Sequence, residues 1–443
     1  MYAVYTVLSL LTFVLALPWF AWQAFRHRKY IGSVGQRLGR LPLGVNVDAE
    51  ASLWIHAVSV GEVLAARALV PALRERYPGL KLFLSTTTRT GQEVARQNVR
   101  HVDAVFYFPL DLPVVVERFL GRLRPRLFLM METEIWPNLL RACRARGVKT
   151  MLVNGRISAR SYPRYRLVRP FMRRVLADVD RLCMQSEESA RRVIDLGADP
   201  ARVTVTGSLK FDSLERPAAG VAGRDRVLRF FKVREGRPIV MAASTLRGEE
   251  VLVLEAFRAV RRMWPDALLV VAPRHPERFD EVVGLVRDEG CRVERRTALA
   301  IDAEPRGDVV VLDTIGELAR LFEVATVVFV GGSLVDAGGH NILEPAVFGK
   351  PVLFGPHMQN FAEIASTFLA NGAAVQVASA RELGEAFVAL IGDPVRRASL
   401  GAAARGLVEA NRGARDRTLD VITALLPSPA VQGAVVRPFR RVP

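Results

Sequence analysis

The chain has 443 residues, half of them apolar, a length at which one hydrophobic core usually gives way to two, so tandem domains are expected. Lys and Arg outnumber Asp and Glu by 62 to 45, and the net charge of +17 calls for polyanionic partners: anionic lipid, a phosphorylated substrate or nucleic acid. The three cysteines (Cys143, Cys183, Cys291) are too scattered for a disulfide framework, and the six histidines have no metal-ligand spacing, which argues for a reducing compartment and against a dedicated metal centre.

Met1 to Phe25 carries no charged residue, long enough at about 1.5 Å per residue to cross a hydrocarbon layer of about 30 Å. Arg26, His27, Arg28 and Lys29 follow at once. With no basic stretch before the apolar run and no small-residue cleavage site after it, residues 1–25 read as a retained membrane anchor, and the basic flank places the rest of the chain in the cytoplasm. A helix lying in the interface is the alternative, because Pro18 interrupts the run and Trp19 and Trp22 suit the headgroup boundary.

Short apolar runs then alternate with amphipathic ones. Strands are expected at Leu53 to Val58, Lys81 to Thr87, Ala104 to Phe108, Arg126 to Met131, Lys149 to Val153, Arg181 to Gln185 and Val203 to Val205. The Ala, Gly, Pro and charge-rich stretch 215–226 breaks the rhythm as a linker does. A second series follows at Pro238 to Ala243, Ala267 to Val271, Asp308 to Leu312, Ala325 to Val330, Pro351 to Phe354 and Ala373 to Val377. Strands alternating with helices imply parallel sheets, so the expected fold is α/β. Two Rossmann-like domains, 30–214 and 227–426, would face each other across a cleft, followed by a loose basic tail at 427–443. The absence of GxGxxG and GxxxxGK[ST] removes the phosphate-cradling signatures of dinucleotide oxidoreductases and P-loop NTPases.

Ligands of such sheets bind at the carboxyl ends of the strands, so the loops there carry the candidates. In WIHAVSVGE, Ser59 and Glu62 have the spacing of a capping box, and the position of Glu62 after the first strand equally suits a general base for a sugar hydroxyl. In METEIWPNLL, Glu132 and Glu134 would share one face if the strand continued, or would be ordinary acids ahead of a helix. Asn154, Gly155 and Arg156 end another strand, and Lys210 precedes the linker as either a solvated charge or a cation aimed at an anion.

In the second domain, Pro273, Arg274 and His275 form a loop tip suited to phosphate, since guanidinium offers a fixed fork of donors. The segment VGGSLVDAGGHNILEPA has four glycines (Gly331, Gly332, Gly338, Gly339) that allow close backbone approach to a ligand. Asn341, Ile342, Leu343 and Glu344 then lead into a helix whose first amides could receive a phosphate.

WIHAVSVGE, METEIWPNLL, VNGRIS, TGSLKFD, APRHPERF, DTIGEL and GGHNILEPA occur in the order in which they stand in the Kdo (3-deoxy-D-manno-octulosonic acid) transferases of lipopolysaccharide assembly, which the chain resembles from about Tyr30 to about Arg412. The resemblance implies a GT-B enzyme without metal or other cofactor, which moves Kdo from CMP-Kdo to a lipid A precursor with inversion, on the cytoplasmic side of the inner membrane. It further implies that Glu62 is the general base, that Glu132 and Lys210 stabilise the transition state, and that Pro273, Arg274, Ile315, Gly316, Glu317, Asn341, Ile342, Leu343 and Glu344 bind CMP. One departure stands out: ASTLRGEE has Leu246 where relatives often have His. A GT-B enzyme using a UDP-sugar, or an epimerase of that architecture, is the enzymatic alternative. A basic membrane-bound adaptor or nucleic-acid binder is the other, but no interleaved basic and aromatic stripe supports binding to nucleic acid.

Overall fold

Runs of Leu, Ile, Val, Phe and Met that are buried on both faces become parallel strands in both halves of the chain, as the near-continuous apolar runs require. The computed structural model describes residues 1–27, 31–42, 44–214 and 227–427. The basic pair Arg28 and Lys29, the linker 215–226 and all of the expected tail beyond residue 427 lie outside the described residues.

The chain divides into two units, one formed by residues up to Ser213 together with those from Arg412 onward, the other by Leu214–Asn411. In the first unit, β1 (Ser52–His56), β2 (Lys81–Thr86), β3 (Ala104–Tyr107), β4 (Pro125–Met131), β5 (Lys149–Gly155), β6 (Arg181–Met184) and β7 (Val203–Val205) form one sheet in the order β3-β2-β1-β4-β5-β6-β7. Trp54 of β1 sits opposite Phe83 of β2 and Phe128 of β4, so the sheet's centre is aromatic on one face. On that face Trp54 packs with Phe106, Phe119 and Phe128, all fully buried. The strand order reverses between β1 and β4, which makes the carboxyl ends of these two strands the switch point where ligands of open sheets bind.

The other face holds Leu53, Ile55, Leu84, Leu129 and Met151; Val63, Ala66, Val70 and Leu73 pack on it from the helices that follow β1, and a helix from the far end of the chain completes it at β5 and β6. That helix, Ala414–Leu425, was expected in the second domain, whose boundary the sequence puts at 426; in the structure its Ala414, Leu419 and Ile422 pack with the first unit's core. Its ends are also tied there. Asp212 accepts from the amides of Gly413 (2.8 Å) and Arg415 (2.7 Å), and Tyr77 donates to the carbonyl of Leu426 (2.6 Å). Ile422→Ala is therefore expected to destabilise the first unit by about 3 kcal/mol, read as an earlier urea midpoint, because it hollows a core that the helix completes.

In the second unit, β8 (Ile239–Thr245), β9 (Leu268–Pro273), β10 (Val293–Arg295), β11 (Val309–Val311), β12 (Val327–Val330), β13 (Val352–Phe354) and β14 (Val375–Gln376) form a second sheet in the order β10-β11-β9-β8-β12-β13-β14. Its switch point lies between β8 and β12. The helices Glu249–Met263 and Ala380–Gly392 cover one face, with Phe257, Leu383 and Phe387 buried against Val240, Ala242 and Phe329.

The expected anchor at 1–25 is a helix, Tyr2–His27, but among the described residues no helix is long and apolar enough to cross a membrane. Its first turns are bonded to the first unit: Tyr2 donates to Asp178, Tyr5 to Asp111 (3.0 Å) and Thr6 to Asn138 (3.0 Å). These polar partners are what an uncharged run conceals, since Tyr and Thr read as compatible with lipid until a carboxylate is found beside them. Val4, Val7, Leu8, Leu11, Val14 and Leu15 remain exposed on the same helix.

Candidate functional site

At the carboxyl end of β1 the chain turns at Ser59, whose extended backbone (φ −110°, ψ 169°) stops the strand and caps the helix Val60–Arg67. The capping box forms as its spacing predicts. One Glu62 oxygen accepts from the Val58 amide (2.8 Å) and the other from the Ser59 hydroxyl (2.9 Å). Burial lifts the Glu62 carboxyl above its ordinary pKa and the charge of Glu132 adds to this, while the bond from Val58 pulls it back.

Glu132 stands just past β4 at φ +55°, a left-handed conformation that costs a non-glycine residue about 1–2 kcal/mol. Its amide nevertheless bonds to the Val153 carbonyl (2.9 Å), which turns the chain out of the sheet. The strand thus ends at Met131, so strand alternation does not relate Glu132 to Glu134. The turn gathers them instead: the charge of Glu134 is felt with those of Glu62 and Glu132.

Lys210 reaches this group from the end of β7. Its ammonium is 3.9 Å from a Glu132 oxygen, and both side chains are about one-fifth exposed (21% and 18%). Asn154, fully buried and also left-handed (φ +57°), holds that segment in place, its side-chain carbonyl accepting from the Leu209 amide (3.0 Å). Of the sequence candidates from this unit, Glu62, Glu132 and Glu134 interact electrostatically at the β1/β4 switch point, Lys210 pairs with Glu132, and Asn154 supports the segment that carries Lys210.

In the second unit the expected nucleotide segments follow β9, β11 and β12. Pro273 is buried and ends β9, while Arg274 and His275 are exposed, the Arg274 amide bonding the Thr245 carbonyl (3.0 Å). The charge of Arg274 is felt by both His340 and Glu344. Burial and Arg274 press the His340 imidazole down to about 4, so it is neutral at physiological pH. Burial raises the Glu344 carboxyl, against the bond from Asn341 and the pull of Arg274.

Ile315 is 81% exposed and Gly316 takes φ +87°, so the turn projects outward. The Glu317 carboxylate is taken up by Arg296 (2.9 Å) and Thr314 (2.8 Å), which brace that turn. The helix expected to receive a phosphate, Leu343–Val347, has five residues, and the Leu343 amide is already capped by the Asn341 side chain (3.1 Å). Ile342 and Leu343 are fully buried and serve to seat the loop.

Sequence reasoning missed Glu249. It is fully buried, and its two oxygens accept from the amides of Leu246, Gly332, Ser333 and Leu334, all within 2.9 Å. One carboxylate thus binds the loop after β8 to the glycine-rich loop after β12 at the switch point. In sequence it is one of two acids opening a helix, a pattern indistinguishable from ordinary dipole compensation. Leu246, at the position of departure, contributes its amide to this knot, and neighbouring Arg247 pairs with Glu281 (2.7 Å). Among the described residues no group of three or more His, Cys, Asp and Glu side chains is arranged to hold a metal ion.

A family model described as 3-deoxy-D-manno-octulosonic-acid transferase matches residues 32–213, and one described as glycosyl transferases group 1 matches residues 229–407. The 3-deoxy-D-manno-octulosonic acid transferase of Bordetella pertussis is 38% identical over 398 residues, 87% of this chain and 90% of that protein. The enzyme of the same name from Haemophilus influenzae is 36% identical, covering 84% of this chain and 87% of its own length. Among solved structures, a UDP-GlcNAc 2-epimerase from Neisseria meningitidis matches with a TM-score of 0.58 at 14% identity, over 84% of this chain and all of that one, a likeness of fold alone.

Proposed function

The chain belongs to the 3-deoxy-D-manno-octulosonic acid (Kdo) transferase family and is a glycosyltransferase, and on that premise we propose that it carries Kdo from CMP-Kdo to a lipid A precursor with inversion at the anomeric carbon. The observation that carries the proposal is the group formed by Glu62, Glu132, Glu134 and Lys210 at the β1/β4 switch point, where the buried Glu62 carboxyl, of raised basicity, feels the charge of Glu132, and Glu132 is itself paired with Lys210.

Glu62 takes the proton of the acceptor hydroxyl as that oxygen bonds to the anomeric carbon, and the bond from this carbon to the CMP phosphate breaks, so CMP departs with the electron pair. To act, Glu62 gives up its bond from Val58 or Ser59 and receives the substrate hydroxyl in its place. Lys210, paired with Glu132, supplies fixed positive charge to the oxygen-rich transition state. The donor nucleotide is assigned to the second unit, to Pro273 and Arg274, the exposed turn Ile315 to Glu317, and Asn341 to Glu344 with the knot that supports them. A guanidinium offers phosphate two parallel donors, which offsets the charge that develops on leaving CMP.

The exposed apolar residues of the helix Tyr2–His27 and the net charge of +17 support attachment to an anionic lipid surface, which we assign to the cytoplasmic face of the inner membrane, where a lipid acceptor resides. Incubation of the purified chain with CMP-Kdo and a lipid A precursor, followed by mass spectrometry of the lipid, tests the proposal and counts the sugars added. Transfer from a UDP-sugar with none from CMP-Kdo would refute it.

A further inference from the structure

His56 ends β1 directly beneath the Glu62 loop and is fully buried, its ring stacked on Phe108 with centroids 3.6 Å apart. Its Nδ1 lies 3.2 Å from the Ser85 carbonyl oxygen and 3.0 Å from the Ser85 hydroxyl. A carbonyl can only accept, and the Ser85 hydroxyl directs its own proton to the Ile55 carbonyl (3.4 Å), so both Ser85 oxygens are left to accept and the ring proton is placed on Nδ1. Nε2 is then a bare lone pair, buried and without a hydrogen-bond partner. A buried acceptor left in that state costs about 1–3 kcal/mol.

The group facing it is Glu134, with one oxygen 4.0 Å from Nε2 and a side chain 23% exposed. An ionised Glu134 would set a charged lone pair against a neutral one. A salt bridge is no remedy, since burial presses His56 down to about 3 and keeps it uncharged. The other charged and titratable groups around the pair are Glu62 beyond β1, Glu132 beyond β4 with its partner Lys210, Tyr165, and Arg37, whose charge further disfavours a cationic His56. With the ring proton on Nδ1, a proton on Glu134 gives Nε2 its donor once the carboxyl closes the 4.0 Å gap, and the Trp136 indole, which pulls Glu134 the other way, is outweighed by burial.

We propose that Glu134 is held protonated in the resting site with its proton turned inward onto His56 Nε2, so that its outer oxygen accepts a hydroxyl of the sugar acceptor without adding negative charge. This rests on the reading of the site as an acceptor site for transfer from an anionic sugar nucleotide. Glu62 can then stay ionised as the base, Glu132 is balanced by Lys210, and an approaching donor with a carboxylate and a phosphate meets one carboxylate fewer. Burial first, and the charge of Glu62 second, raise Glu134 from 4.5 to about 7, consistent with this arrangement.

Two measurements on the full chain test it. In protein labelled with nitrogen-15 at histidine and free of substrate, the His56 Nε2 resonance should be displaced from that of an unbonded ring nitrogen. It should stay displaced in Glu134→Gln, whose amide can donate, and move to the unbonded position in Glu134→Leu, which cannot. An unmoved resonance in Glu134→Leu, or a His56 protonated on Nε2, would overturn the proposal. For transfer, kcat/KM of the unaltered enzyme should fall about tenfold per pH unit above about pH 7, chiefly through KM, because the raised acid is neutral below that value and ionises above it. Glu134→Gln, slower by about threefold at acid pH for its altered geometry, should show no such decline. Superimposable alkaline limbs would count against the proposal, since a purely structural role scales both profiles by one factor. If transfer is absent with every acceptor, the assigned reaction fails while the His56 resonance still decides the pair.

Discussion

Glu62→Gln is expected to lower the rate of Kdo transfer by about 10³-fold while leaving CMP-Kdo affinity within about twofold of its starting value. Glutamine keeps an oxygen to accept from the Val58 amide, so the helix Val60–Arg67 remains capped and the protein should melt almost unchanged. What it loses is the capacity to take a proton. Rate and affinity must therefore separate: CMP release followed at saturating donor should collapse, and calorimetric titration with the nucleotide should not. Near-normal turnover would return Glu62 to a capping role alone and leave the cluster without a base.

Glu249→Ala should act in the opposite sense, weakening nucleotide binding and the second unit together. Four amides from two loops converge on this one carboxylate, and none has another acceptor at hand once it is gone. Leaving several buried donors unsatisfied costs about 1–3 kcal/mol each, and even with partial rescue by water about 4 kcal/mol should be lost. The glycine-rich loop would then no longer be seated against β8, so CMP affinity should fall at least about 10²-fold, a change of about 2.7 kcal/mol. Unchanged CMP affinity in a folded Glu249→Ala protein would show that the loops around β12 do not form the nucleotide site. Glu249→Gln preserves shape but offers one acceptor oxygen and an unwanted donor, so it should fall between the two.

Both sheets were legible because a strand buried on two faces must be apolar throughout, and runs such as Leu53 to Val58 and Ala267 to Val271 have no other economical use. β10 (Val293–Arg295) was not read. It is half-exposed at the sheet edge, and its Val-Glu-Arg sequence carries no such run. The helix Ala414–Leu425 was legible as a helix, yet nothing in its periodicity says which sheet its apolar face will cover. The loops after β1, β4 and β7, singled out in the sequence as bearers of Glu62, Glu132, Glu134 and Lys210, lie at one edge of the sheet, since parallel topology sends all strand ends of one kind there. The supporting roles behind them were not legible: Asn154 stands out only as the end of a strand, and Glu249 not at all. Asn154 and Glu249 work through long-range bonds to backbone amides, and their identities as polar residues near strand ends do not reveal their partners.

The return of residues 412–426 to the first unit makes the second unit an insertion in the covalent order of the chain. During synthesis, Leu214–Asn411 can fold as soon as it clears the ribosome, because every strand of its sheet is already present. The earlier-made unit must wait. Its β5 and β6 keep part of one apolar face uncovered until the last helix emerges some two hundred residues later, so the nascent chain exposes a sticky patch for much of its own translation and has most need of a chaperone there.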